Sequence, residues 1–132
     1  MRISVLIPAY NEEDNIQATL KGLGSFRETY CKEKGLDLDI LVIDDGSSDK
    51  TYEKALRSGA EAIKLEKNTG KGGALRAGIG KAQGDIVVFL DADLRESSEE
   101  VYKLIEPILS GDADVTIAQF ERVSEKKGFG LV

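Results

Sequence analysis

Short apolar runs, each closing on polar or acidic residues and each followed by helical spacing, limit this chain more than any other feature. Ile3, Val5, Leu6 and Ile7 form the first run, closed by Pro8. Leu38, Ile40, Leu41, Val42 and Ile43 form the second, and Ala62, Ile63 and Leu65 a shorter third. Ile86-Val87-Val88-Phe89-Leu90 is the strongest, and Val115, Ile117 and Phe120 alternate as a fifth. Runs of this length rich in β-branched residues read as strands buried on both faces. Between them, Ile16, Leu20 and Leu23 recur at helical spacing, as do Tyr52, Ala55 and Leu56, and then Val101, Leu104, Ile105 and Ile108. Strand and helix alternate throughout. The expected fold is therefore α/β, with a mostly parallel, Rossmann-like sheet flanked by helices on both faces.

Finer boundaries follow from local signals. Asn11 is placed to cap a helix that carries Glu12, Glu13 and Asp14 in its first turn. Residues 25–37 read as a helix end and a loop. Gly59 is a stop for the helix after residue 50, and residues 74–82 read as a helix. Ser97 and Glu100 match a capping box, and Pro107 should kink or end the helix that follows.

Composition removes several kinds of chemistry. The 132 residues suit one domain. They contain no histidine, which excludes an imidazole base or a Ser-His-Asp nucleophile from this chain. The single cysteine, Cys31, can form no internal disulfide. Lys and Arg total 18 against 24 Asp and Glu, a net charge of −6 that argues against nucleic acid as a partner. No apolar run approaches the roughly 20 residues that span a bilayer, and the N-terminus enters a strand pattern directly. The expected location is cytoplasmic.

Three polar clusters follow strands, where open α/β sheets bind ligands. They are Ala9-Tyr10-Asn11-Glu12, Asp44-Asp45 and Asp91-Ala92-Asp93. Carboxylates crowded on one rim repel one another, and Mg²⁺ or Mn²⁺ would offset that repulsion through hard oxygen ligands. Asp91 and Asp93, two apart on an extended segment, point the same way toward one ion. A turn whose aspartates cap the backbone is the plainer reading of both acidic motifs. Tyr10 offers a ring for stacking on a base. The stretch Asn68-Thr69-Gly70-Lys71-Gly72-Gly73 forms a local basic patch in which glycine N–H groups and Lys71 can approach a diphosphate. It lacks the Ser or Thr of a Walker A loop.

Four motifs in order carry a resemblance: Ser4–Glu13, Val42–Asp49, Asn68–Ala74 and Asp91-Ala92-Asp93-Leu94. Together they resemble the N-terminal, nucleotide-sugar-binding half of family 2 glycosyltransferases of the GT-A fold. The polyprenyl- or dolichyl-phosphate glycosyltransferases are the nearest group, with glucosyl-3-phosphoglycerate synthases beside them. The resemblance implies that Pro8, Ala9, Tyr10 and Glu12 line the base and ribose pocket, and that Ile43 and Asp45 meet the base. Lys71 is implied near the base or diphosphate. Asp91 and Ala92 are implied at the nucleotide sugar, with Asp93, alongside Asp91, at the metal. It further implies inverting transfer of a hexose from UDP-glucose or GDP-mannose to an acceptor such as polyprenyl phosphate, at the cytoplasmic face of a membrane. Residues 1–120 then form the donor-binding domain, and 121–132 begin an acceptor-side segment. No catalytic base is identifiable, and Arg95 stands where the polyprenyl group often has Gln. The rival expectation is a non-catalytic, homo-oligomerising scaffold. A nucleotidyltransferase ranks lower because no glycine-rich loop follows the first strand.

Overall fold

The computed structural model describes residues 1–114, Thr116 and Ala118. The fifth expected strand and the segment from residue 121 fall outside the described residues. Four strands form one sheet: β1 (Arg2–Ala9), β2 (Asp37–Asp44), β3 (Glu61–Lys64) and β4 (Ile86–Phe89). Their order is β3-β2-β1-β4 and every pairing is parallel.

The pairing register explains why the runs needed β-branched residues on both faces. Ile3 and Val5 of β1 align with Leu38 and Ile40 of β2 and with Ile86 and Val88 of β4. Side chains in register share a face, and these form one core with Ile16, Leu20, Leu23 and Phe26 of α1 (Ile16–Phe26). Ala55, from α3 (Thr51–Arg57), and Ile105, from α5 (Tyr102–Leu109), complete that layer. On the opposite face, Leu6, Leu41 and Ile43 pack with Ala74 of α4 (Gly70–Ile79). Gly78, four residues on, lets α4 lie close to the sheet: a Cβ there would stand 2.6 Å from Ile43 Cδ1. Helices thus lie on both faces of the sheet, as the alternation predicts, although Val87 and Phe89 of β4 stay exposed on the α4 side.

Several local expectations are corrected. Asn11 does not cap a helix. It takes a left-handed φ of 54°, and α1 starts five residues later, after Asn15. The polar 25–37 stretch is mostly helical: α1 runs on through a π-helical turn (Arg27–Cys31) into α2 (Lys32–Lys34), where left-handed Gly35 ends it. Burial of Phe26 and Cys31 against the core outweighs the weak apolar pattern. Leu56 is largely exposed, and Thr51 joins Ala55 on the inner side of α3. The helix expected over residues 74–82 begins earlier, at Gly70. Ser97 lies inside a 3₁₀ segment (Arg95–Val101) and donates to the Leu94 carbonyl, while Glu100 pairs with Lys103; no capping box forms. Pro107 sits within α5, which stops two residues later at Leu109.

Candidate functional site

The chain leaves β1 toward β2 on one side and returns from β3 to β4 on the other. The strand order therefore reverses beside β1, and such a reversal opens a crevice at the carboxyl ends of the strands. A cavity of about 420 Å³ lies there. Pro8 and Ala9 contribute from the end of β1 and Tyr10 and Glu12 from the loop after it, Asp45 from the loop after β2, Asn68, Gly70 and Lys71 from around the start of α4, and Asp91, Ala92 and Asp93 from the turn after β4. Ile43, Asp44 and Asn11 are not among the lining residues. The Ile43 side chain is fully buried beneath α4.

The rim is held by hydrogen bonds between the loops after β1 and β2. The N–H groups of Asn11, Glu12 and Glu13 donate to Ser47 Oγ, Thr51 Oγ1 and Asp49 Oδ2. In return, Asn11 Oδ1 accepts the Ser48 N–H. The left-handed turn at Asn11 is thus fixed from outside, and it leaves the Tyr10 ring half exposed at the cavity wall. Burial alone would raise the Asp49 pKa. Hydrogen bonds from Thr51 and the Glu13 N–H outweigh it and hold the carboxyl below the usual range.

Asp44 and Asp45 divide their work. Asp44 Oδ1 accepts the Ser47 N–H; its Oδ2 is buried and has no hydrogen-bond partner among the described residues. Asp45 Oδ1 accepts the Thr69 N–H and hydroxyl, at 2.8 and 2.7 Å. Its Oδ2 accepts the Gly70 N–H at 2.8 Å and Asn68 Nδ2 at 3.0 Å. These donors fill the roughly four acceptor sites of a carboxylate. In this structure Asp45 is bound to the chain's own loop, residues 68–70. Asp45 is thus itself an anion at the N-terminus of α4, taking the Thr69 and Gly70 N–H groups. That charge, next to the helix N-terminus, favours a start at Gly70 although glycine is a poor helix former. Gly46 makes the approach possible. Its φ is 76°, and a Cβ would fall 2.7 Å from the backbone of Lys67 and Asn68.

Thr19 holds the acidic turn after β4. Its hydroxyl donates to the Ala92 carbonyl at 2.6 Å and accepts the Arg95 N–H at 2.8 Å, gripping the turn on either side of Asp93. Arg95, at a left-handed φ of 54°, donates from Nε to Asn15 Oδ1. Asp93 is exposed, whereas Asp91 is partly buried and pairs with Lys71, Nζ to Oδ1 at 2.7 Å. Asp45 is satisfied by its donors, so the wall carries Glu12, Asp91 and Asp93 against the single charge of Lys71. That excess suits a cation. Among the described residues no three carboxylate, thiol or imidazole groups gather to hold a metal unaided. Asp91 and Asp93 fit a hard divalent ion whose remaining ligands are phosphate oxygens and water, as is usual for Mg²⁺.

Thr19 and Asn15 were invisible as site residues in the sequence. Both lie in an amphipathic helix start and reach the site only across 73 to 80 positions of chain. Asn68 and Thr69 stood in a quoted motif, but without the role of ligands to Asp45.

A parallel sheet with its cavity at the switch point and acidic turns on the rim defines a nucleotide-binding α/β domain of the glycosyltransferase GT-A type. The family model for glycosyl transferase family 2 matches residues 4–130, and the chain belongs to that family. It is 38% identical over 124 residues to undecaprenyl-phosphate 4-deoxy-4-formamido-L-arabinose transferase of Edwardsiella ictaluri, covering 89% of this chain and 37% of that protein. It is 36% identical over 121 residues to dolichol-phosphate mannosyltransferase of Pyrococcus furiosus, covering 89% and 32%. Glucosyl-3-phosphoglycerate synthase of Mycobacterium tuberculosis, solved with Mn²⁺, UDP and glucosyl-3-phosphoglycerate, superposes with a TM-score of 0.69 at 32% identity, over 83% of this chain and 40% of that one. The chain thus spans about a third of the length of these curated relatives. No helix among the described residues is long and apolar enough to cross a membrane.

Proposed function

We propose that this chain is the donor-binding part of an inverting glycosyltransferase that takes a hexose from a nucleoside-diphosphate sugar. The convergence of the loops after β1, β2 and β4 with the start of α4 on one cavity carries the reading. Tyr10 offers its exposed ring to the base, beside Pro8 and Ala9. Asp45 acts indirectly, fixing residues 68–70 so that Lys71 reaches into the cavity toward the diphosphate. Asp91 and Asp93 would hold Mg²⁺ or Mn²⁺ there, and such an ion would supply Lewis-acid stabilisation of the departing nucleoside diphosphate. The turn gripped by Thr19 keeps the two carboxylates in place without reorganisation, which is what makes electrostatic stabilisation effective. The presence of Mn²⁺ and UDP together in the mycobacterial synthase complex supports the metal, and the polyprenyl-phosphate names of the curated relatives support a lipid phosphate acceptor. Such an acceptor would bring the whole enzyme to a membrane surface.

Calorimetric titration with UDP, GDP, UDP-glucose and GDP-mannose, each with and without Mn²⁺, tests the proposal. One base should give heat that grows with Mn²⁺, and Asp93→Asn should abolish the metal dependence. No heat with any of the four would overturn it.

A further inference from the structure

The ion pair between Lys71 and Asp91 points to a part for Lys71 beyond contact with a diphosphate. Among the described residues the Asp91 carboxylate takes one hydrogen bond, from Lys71 Nζ at 2.7 Å. Asp91 is recessed, its side chain 17% exposed, whereas that of Lys71 is 61% exposed and rises from the first turn of α4 on a flexible stem. The ammonium therefore occupies the carboxylate that a divalent ion needs, from a position it can leave. The other candidate ligand, Asp93, is exposed and accepts no hydrogen bond from the described residues. One exposed carboxylate binds a hydrated divalent ion poorly.

Resting on the reading above, we propose that Lys71 is a placeholder cation. It neutralises Asp91 and keeps metal from binding alone, then moves to the incoming diphosphate and frees Asp91 for the ion. Metal and nucleotide are then linked: each binds better after the other, by equal factors at equilibrium. The anchoring of residues 68–70 by Asp45 sets the pivot, because it fixes the backbone from which Lys71 swings.

The test is a titration with Mn²⁺ alone, followed by the loss of the free-ion electron paramagnetic resonance signal. Lys71→Met should bind Mn²⁺ about fivefold more tightly than the natural chain, the factor expected when a partly exposed ion pair no longer competes. Lys67→Met, which removes an equal charge four residues earlier and leaves the Lys71–Asp91 pair in place, is the control for a general field effect and should change affinity less than about twofold. Equal or weaker Mn²⁺ binding by Lys71→Met overturns the proposal, and so does an equal gain in Lys67→Met. Circular dichroism melting checks that both variants fold. In a second arm, without metal, Lys71→Met should weaken UDP or GDP binding. If no variant binds either nucleotide, the donor-site reading fails while the Mn²⁺ comparison still decides the role of Lys71.

Discussion

The Thr19 hydroxyl gives the Ala92 carbonyl and the Arg95 N–H their partner, so its loss is felt twice. Thr19→Val keeps the shape and removes both hydrogen bonds inside a fully buried spot. Unpaired buried polar groups cost about 1–3 kcal/mol, and urea unfolding should register a loss of that size. Thr19→Ser should recover most of it. Asp49 acts in the same way at the opposite rim. Its lowered pKa means that folding favours the charged carboxylate, so the stabilisation is complete above the ordinary value and lost as pH falls through the lowered one. Urea midpoints measured from pH 6 down to pH 2.5 should fall less steeply for Asp49→Asn than for the natural chain. At neutral pH that variant should be the less stable of the two. Sequence reading found Asp49 only as part of a turn motif and missed Thr19, because a threonine in a helix carries no mark of the carbonyl it will meet.

At the scale of elements, the strands were legible and several helix ends were not. A buried parallel strand writes its burial directly into its composition, as Ile3, Val5, Leu6 and Ile7 of β1 do. The start of α4 is written elsewhere: the group that caps it, Asp45, lies 25 residues earlier. Gly46 joins the two. Replacing it with Ala would place an L side chain at positive φ and push it into the backbone of the 67–68 segment. The left-handed conformation alone costs about 1–2 kcal/mol. Gly46→Ala should therefore lower stability by about 2 kcal/mol or more. Hydrogen exchange should also show the Thr69 and Gly70 amides losing protection, since their acceptor is displaced.

Across the whole molecule, sheet order decides which loops meet. The order β3-β2-β1-β4 sets the loops after β1 and β4 side by side, and the cavity follows. The same order leaves an apolar face. Val87 and Phe89 point to the side of the sheet that α4 covers over β1 and β2, and they remain 40% and 51% exposed. Exposed apolar patches promote association. Light scattering of this chain should rise with concentration, and Val87→Thr with Phe89→Ser should reduce the rise while changing the unfolding midpoint little.

Hydrophobic spacing is a local property, so the sequence alone determined the alternation of strand and helix, the parallel sheet, and the acidic and basic groups available to the site. Hydrogen-bond partners are chosen through space, across 20 to 80 positions of chain at this site. Only the tertiary structure could assign Asp45 to the 68–70 loop, Lys71 to Asp91 and Thr19 to the acidic turn. It alone set the Ile43 side chain beneath Gly78 of α4, because close packing of α4 on the sheet depends on which strands lie side by side.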